Sequence, residues 1–386
     1  MTEKLNLVVF VRDYPTGMAG TKRVHNFIEY LIRQDIIINV ISFRSQIRQP
    51  SLKGVHRGIP YITVGQGLKM KLSKAPSLLT YYLRGLSAIY SLRKKGCKNL
   101  VYSSGGISIE NLIFLLWSKI IGYKLVLAIE EDYTFFRDNI KLISRFKFWT
   151  VRKFDFLNSR LAEAVVVISN HLKEKYVRLK ARTVILIPVT AKLNFNQQKS
   201  NFNSPLQVIY AGSFADKDGV SDIIEGFLTF NKKFQDSTLI LTGHSEQQKY
   251  YQEKYKDEKS LVFPGFLEDE EFYGLIRDAD VLCMCRTESG FANSGFPFKL
   301  GEYLATGNPV ICTKVSDVQN YLDEDDAYLT EPGKPFQIYE SLKQIVNNPA
   351  EARIKGLNGM EKCRRHFSPE NNGARLYELM ISVADS

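Results

Sequence analysis

The stretch Arg286–Ile311, RTESGFANSGFPFKLGEYLATGNPVI, concentrates residues able to handle a phosphorylated ligand. Pro297 suits a first helical turn and Gly307 a helix end, so the sequence predicts a short helix over 297–306 entered from the Ser294-Gly295-Phe296 loop. Backbone N–H groups and the positive end of the helix dipole at such a start favour a phosphate, and Lys299 adds a full charge there. Glu302, three residues on, shares the face of Lys299 one turn further along, where a carboxylate can accept both hydroxyls of a ribose. The same spacing also fits an ordinary helix–strand unit whose Lys and Glu are solvated.

Two other loops have comparable potential. In Val208–Phe227 an apolar run ends at Gly212-Ser213, and a polar loop carrying Lys217 leads through Gly219 into an amphipathic segment. A charge-assisted contact from Lys217 to a diphosphate is worth ~1.5–3 kcal/mol, although a lone loop lysine is usually solvated. In Asp13–Arg23, Gly17 and Gly20 permit tight turning and close backbone approach. That loop is neither G-x-G-x-x-G nor G-x-x-x-x-G-K-[ST], so neither a dinucleotide fingerprint nor a P-loop is supported. Asp278 and Asp280 sit at a helix-to-strand junction, where acids cap or turn the chain more often than they bind a metal. The five histidines show no partner at any recognisable spacing and take no role. The five cysteines form no C-x-x-C pair, which reads as a reduced chain without structural zinc.

The elements that position these residues follow from short, β-branched apolar runs. Leu5–Val11, Ile36–Phe43, Leu100–Ser103, Lys124–Ile129, Ala164–Ile168 and Val184–Pro188 alternate with helical periodicity, as in Thr21–Gln34. A second series, Gln207–Tyr210, Thr238–Thr242, Leu261–Phe263, Val281–Cys285 and Pro309–Cys312, alternates with helical segments such as Ser221–Phe234 and Asp269–Arg277. The polar, aperiodic segment between the two series reads as a linker. The expected architecture is α/β with two Rossmann-like doubly wound domains facing a cleft: residues 1–190, a linker at 191–205, and residues 206–370. Ligand crevices then lie at the carboxyl ends of the strands, a layout suited to group transfer.

Three segments, taken in order, carry a family resemblance. Gly17-Met-Ala-Gly-x-x-Arg-Val24, Gly212-Ser-Phe-x-x-Lys-Asp-Gly-Val220 and Phe296-Pro-Phe-Lys-Leu-Gly-Glu-Tyr-Leu-Ala-x-Gly-x-Pro-Val-Ile311 resemble retaining, nucleotide-sugar-dependent glycosyltransferases of family four, which have the GT-B fold. The resemblance spans nearly the whole chain. It implies that the C-terminal domain binds the sugar nucleotide, with Lys217 and Lys299 neutralising the diphosphate, Gly295, Phe296 and Pro297 presenting backbone, and Glu302 holding the ribose. Gly212, Ser213, Arg286, Ser294 and Leu300 complete the implied donor side. Gly17, Ala19, Gly20 and Glu131 line the acceptor side, and a C-terminal helix near 371–386 packs back on the first domain. The donor implied is a UDP- or GDP-sugar and no metal is expected. The chain departs from the family pattern at two places. Ser294 occupies the first position of a Glu-x7-Glu pair, with Glu288 nearby but out of register. Glu130-Glu131-Asp132 follows the strand after which many members carry a His. Glu288 and Glu130 therefore join Lys299 and Lys217 as candidate catalytic groups.

Composition and charge bound the remainder. With 386 residues, 44% hydrophobic and 24% charged, the chain reads as a soluble two-domain protein. Residues 1–190 hold 31 basic against 12 acidic side chains, a field suited to an anionic partner. Two basic-aromatic stretches, Leu78–Leu92 flanked by Lys69, Lys71, Lys74 and Arg93–Lys95, and Lys141–Arg160, fit either apolar faces in the core with solvated charges, which each alone favours slightly, or attachment to an anionic bilayer, which the two together with the charge balance suggest. The window Asn111–Ile129 is interrupted by Lys119 and Lys124, so no spanning helix is expected, and Leu5–Val11 reads as a first strand and not a signal peptide. The resulting expectation is a cytoplasmic enzyme, peripheral to the inner face of the membrane, that glycosylates a glycan or lipid-linked acceptor in surface polysaccharide synthesis. Two alternatives are a GT-B sugar-nucleotide epimerase and a nucleic-acid-binding protein. No nucleic-acid motif accompanies the basic half, so nucleic acid is not expected as a partner.

Overall fold

The structure, a computed structural model, describes residues 3–17, 19–44, 52–65, 75–135, 141–192, 202 and 205–386, with backbone only at 75–77 and 141–149. The chain forms two compact units, one of residues Met1–Pro188 with Pro369–Ser386 and the other of Val189–Ser368. Most of the segment read as a linker lies outside the described residues.

Unit 1 is built on strands β1 (Leu5–Asp13), β2 (Ile36–Arg44), β3 (Lys53–His56), β4 (Ile59–Thr63), β5 (Lys98–Ser104), β6 (Lys124–Ile129), β7 (Ala164–Val167) and β8 (Val184–Leu186). They form one sheet in the order β3-β4-β2-β1-β5-β6-β7-β8, parallel except where β3 pairs antiparallel with β4. Its helices are α1 (Ala19–Leu31), α2 (Ala75–Leu92), α3 (Leu112–Ile120), α4 (Lys141–Leu161) and α5 (Asn170–Arg178). The central strands are buried on both faces, which is why they read as unbroken apolar runs. Leu7, Val9 and Val11 of β1 share a core with Val24 and Phe27 of α1 and with Leu376 and Met380 of the last helix.

Unit 2 has strands β9 (Gln207–Ala211), β10 (Thr238–Thr242), β11 (Leu261–Gly265), β12 (Val281–Met284), β13 (Val310–Thr313) and β14 (Tyr328–Thr330). Every pairing is parallel and the order is β11-β10-β9-β12-β13-β14, the doubly wound arrangement 3-2-1-4-5-6. Helices α6 (Val220–Asn231), α7 (Glu246–Lys254), α8 (Asp269–Arg277), α9 (Gly290–Ser294), α10 (Phe298–Leu304), α11 (Pro335–Asn347) and α12 (Pro349–Phe367) complete it. Helix α13 (Pro369–Asp385) returns to unit 1.

Three strands were not expected. β3 and β4 form a hairpin whose two turn residues, Arg57 and Gly58, both have positive φ (50° and 79°), a turn usually signalled by Asn-Gly. Pro60 inside β4 further disguises a sheet edge, and β14 is only three residues long. The expected 297–306 helix is also shorter than predicted: α10 has seven residues, with Pro297 as its N-cap and not inside its first turn.

The two basic-aromatic stretches are described only in part. In α2, Ile89 is fully buried and Tyr82 and Leu86 are half-buried, leaving Leu79, Leu83 and Tyr90 of the expected set exposed. Lys69, Lys71 and Lys74, and the side chains of Arg145, Phe146, Lys147, Phe148 and Trp149, lie outside what is described. Among the described residues, no helix is long and apolar enough to cross a membrane.

Candidate functional site

In unit 2 the strand order reverses between β9 and β12, so the ligand crevice of such a sheet opens at their carboxyl ends. The two loops leaving these strands are fastened together. Thr287 N–H donates to the Lys217 carbonyl (3.0 Å), and the Thr287 hydroxyl donates to the Asp216 carbonyl (3.2 Å). Gly219 has φ +57°, and a Cβ there would stand 2.1 Å from the Cys285 carbonyl oxygen, so only glycine admits this approach. The Ala211 N–H at the end of β9 donates to the Tyr303 hydroxyl (2.8 Å), which fixes α10 beside that strand. Tyr303 is fully buried, and burial pushes its phenol well above the ordinary range.

These constraints set the two lysines. Lys217 lies in the 3₁₀ turn Asp216–Asp218 with its Nζ 4.4 Å from the centre of the Phe291 ring in α9. Lys299, in the first turn of α10, has its Nζ 3.9 Å from the centre of the Phe272 ring and 3.4 Å from Glu302 Oε2. The other Glu302 oxygen accepts a hydrogen bond from Tyr273 OH (3.1 Å). Adjacent aromatic residues of α8 therefore hold the lysine and the carboxylate of α10, a support that the sequence reading missed. Its local signal is the Phe272-Tyr273 pair in a short amphipathic helix.

The other predicted donor-side residues divide between scaffold and surface. Asp218 accepts from Ser213 Oγ (2.7 Å), Ala215 N (3.1 Å) and Tyr210 OH (3.1 Å), which shapes the loop that carries Lys217. A Cβ at Gly212 would sit 2.0 Å from Tyr210 OH. Arg286 is held through its backbone, its N–H and C=O both bonded to the Thr313 hydroxyl (2.7 and 3.0 Å). Ser294 is buried and donates back to the Phe291 carbonyl (3.1 Å), while Ser316 Oγ donates to the Gly295 carbonyl. Phe296 packs against Tyr321 and Phe367, and Leu300 is core, so both act through backbone and packing. Glu288 is exposed, next to Ser289, the N-cap of α9. Asp280 accepts from Gln207 N (2.7 Å) and Asp278 pairs with Arg277 (2.8 Å), both structural uses.

In unit 1, β1, β5 and β6 present Asp13, Ser104 and Glu130 at or beyond their carboxyl ends. Gly17 is explained by loop closure: a Cβ would meet Thr21 Oγ1 at 2.1 Å, where that hydroxyl bonds the Asp13 carbonyl (2.8 Å). Ala19 and Gly20 begin α1, and a Cβ on Gly20 would lie 3.4 Å from Glu130 Oε2 and 3.6 Å from Ser104 Oγ. Glu130 Oε1 meets Arg23 Nη1 at 3.3 Å; the buried Arg23 also donates through Nη2 to the Ile187 carbonyl (2.6 Å). Burial pushes the Glu130 carboxyl above its ordinary value, opposed by the Arg23 guanidinium and reinforced by Glu131.

The reading that no histidine has a partner is overturned. His171 Nε2 lies 3.0 Å from Asp132 Oδ2, and Lys175 Nζ lies 2.7 Å from Asp132 Oδ1 and 2.6 Å from Asp155 Oδ2. Asp155 accepts from Tyr176 OH (2.8 Å), which extends the network into the core. Burial alone would raise the Asp132 carboxyl; donors from Lys175, Thr134 and His171 overcome it and hold it at about 2. The sequence offered one clue, since His171 and Lys175 stand four apart on a helix capped by Ser169. His25 stacks on Tyr14 at 4.9 Å and bonds the Pro15 carbonyl (2.7 Å).

Residues 192–361 match the family described as "Glycosyl transferases group 1". No curated protein matches the chain. Among solved structures, sucrose-phosphate synthase from Thermosynechococcus elongatus is similar with a TM-score of 0.77 and 17% identity, covering 100% of both chains. The Anabaena protein HepE, solved with UDP and glucose, gives 0.73 at 14% identity, covering 98% of this chain and 99% of that one. TarM gives 0.71 at 11% identity, with 98% and 99% covered. At these identities the likeness establishes the fold: two Rossmann-like units in the GT-B arrangement of elements.

Proposed function

We propose that the chain is a retaining glycosyltransferase that moves a sugar from a nucleoside diphosphate sugar, UDP-linked in first preference, to a hydroxyl of a glycan or lipid-linked acceptor. The observation that carries this reading is the pair of ring-seated lysines, Lys217 on the loop leaving β9 and Lys299 in the first turn of α10, their elements fastened by the Thr287 and Tyr303 hydrogen bonds, within the segment that matches group 1 glycosyl transferases. HepE, solved with UDP and glucose, supports the choice of donor.

Glycosyl transfer leaves negative charge on the departing diphosphate. Ammonium groups already oriented on aromatic faces stabilise that charge without reorganising when the bond breaks, and they take the part a divalent ion plays elsewhere. Glu302, oriented by Tyr273, holds the ribose. Glu130 accepts a hydrogen bond from an acceptor or sugar hydroxyl through Oε2, the oxygen on the Gly20 side. The acceptor class proposed is a growing surface polysaccharide. Calorimetric titration of the intact chain with UDP and GDP, with and without EDTA, tests the reading. Saturable UDP binding that is insensitive to EDTA and weakened in Lys299→Ala is expected; no nucleotide binding at millimolar concentration would overturn it.

A further inference from the structure

Strand β6 runs out into Glu130, Glu131 and Asp132, and the chain then makes a single 3₁₀ turn, Tyr133–Phe135, in which no residue is buried. Two of its three side chains are aromatic, and Tyr133 is 53% exposed. This turn adds nothing to the core, yet it is firmly held. The buried Asp132 accepts from Thr134 N–H (3.0 Å) and Thr134 Oγ1 (2.6 Å) through Oδ1, and its carbonyl accepts from Phe135 N–H (3.2 Å). Lys175 and His171 tie the same carboxylate to α5, and the Phe135 ring rests against His171 with ring centres 5.7 Å apart. The Tyr133 hydroxyl donates to the Glu131 carboxylate, which fixes the ring beside the acids that follow β6. An exposed ring fixed in place loses little freedom when a ligand settles on it.

The charges around Tyr133 select the ligand. The Glu130, Glu131 and Arg12 side chains all act on its phenol. The basic groups bonded to the acids here are spent on them: Arg23 on Glu130 and the Ile187 carbonyl, Lys175 on Asp132 and Asp155, and His171 on Asp132. Arg12 pairs with Asp13 at 3.8 Å. A phosphate entering beside Tyr133 would meet Glu130 and Glu131 with these cations already paired. A neutral pyranose meets the same groups well. The C–H bonds of its apolar face carry partial positive charge that the negative face of a tyrosine ring attracts, and its neighbouring hydroxyls donate to carboxylates. We propose that Tyr133 is the stacking platform of an acceptor subsite, holding the terminal pyranose of a saccharide while Glu131 and Glu130 Oε2 receive its hydroxyls. That the sugar is an acceptor rests on the proposed glycosyl transfer, whereas sugar binding at Tyr133 is measured without a donor.

Saturation-transfer NMR of the full chain tests it, with methyl β-D-glucopyranoside, methyl β-D-galactopyranoside and methyl N-acetyl-β-D-glucosaminide each titrated through the millimolar range. At least one should bind saturably, and the C–H protons of one ring face should receive more saturation than those of the other. Tyr133→Ala, at an exposed position, should keep the melting temperature and weaken that affinity about five- to tenfold. Tyr133→Trp, which keeps a ring face, should restore most of it. Calorimetric affinities for UDP and UDP-glucose should be the same in wild type and both variants, which separates an acceptor sugar from the sugar of the donor. No saccharide binding, equal saturation of both faces, or a folded Tyr133→Ala variant that binds like wild type would overturn the subsite even where UDP binds normally. So would a Tyr133→Ala variant that loses affinity for UDP-glucose and not for UDP, since the ring would then serve the donor's sugar. Saccharide binding that depends on Tyr133 in a chain that binds no UDP would leave the sugar site standing and overturn the glycosyltransferase reading instead.

Discussion

Lys299 is seated on Phe272 and paired with Glu302, so its ammonium is oriented before any ligand arrives. Removing it removes a charge-assisted contact worth roughly 1.5–3 kcal/mol, and Lys299→Ala should lower kcat/KM for sugar transfer by about 10- to 150-fold. Phe272→Leu, which keeps the charge and removes the ring face, should lower it less; progress curves with a UDP-sugar would show the ranking. A second residue-scale prediction concerns Asp132, buried among Lys175, Thr134 and His171. Its pKa of about 2 lies below the unfolded value of 3.8, so its contribution is fully present above about pH 4 and is lost as pH falls toward 2. Asp132→Asn should therefore cost about 2 kcal/mol near pH 6, and its deficit relative to wild type should shrink toward zero near pH 2. Urea unfolding at both pH values measures it; a pH-independent deficit would mean that shape and not charge is what Asp132 supplies.

At the scale of elements, the loops leaving β9 and β12 meet in a close backbone approach at Gly219. Gly219→Ala faces both a left-handed φ and the Cys285 carbonyl at 2.1 Å, so the loop bearing Lys217 must move. We expect at least about 2 kcal/mol of destabilisation and weaker UDP binding. Gly274→Ala in α8, where an added Cβ meets nothing within 4 Å, should stabilise by about 0.5–1 kcal/mol. Thermal melts of the two variants should move in opposite directions. This junction also marks how far the sequence could be read. Parallel strands announce themselves as β-branched runs, so Lys124–Ile129 and Thr238–Thr242 fall where expected, as does the amphipathic helix Asp269–Arg277. The β3–β4 hairpin did not, because Arg57-Gly58 replaces the usual turn pair and Pro60 sits in the strand. The positions of Lys217, Lys299 and Glu302 were legible from local spacing. Their supports were not, since Tyr303 with Ala211 and Tyr273 with Glu302 are pairs separated by 92 and 29 residues that only the folded sheet brings together. The same holds for Asp132 with His171.

At the scale of the whole molecule, the chain leaves unit 1 after Pro188 and re-enters it at Pro369, so the first unit is completed only by the last helix. Leu376, Leu379, Met380 and Val383 of α13 are buried in the unit 1 core, and a Cβ on Gly373 would stand 2.5 Å from Tyr30 Cβ, which marks how closely α13 lies on α1. Burying four such side chains contributes about 6–12 kcal/mol at roughly 1.5–3 kcal/mol each, against a total stability of about 5–15 kcal/mol for a typical domain. Truncation after Ser368 should therefore unfold unit 1 while leaving Val189–Ser368 with its own core intact. Limited proteolysis distinguishes the outcomes: residues 189–368 should persist as a resistant fragment and residues 1–188 should be degraded. A truncated chain as resistant across both units as the full one would show that α13 merely covers a core able to stand alone.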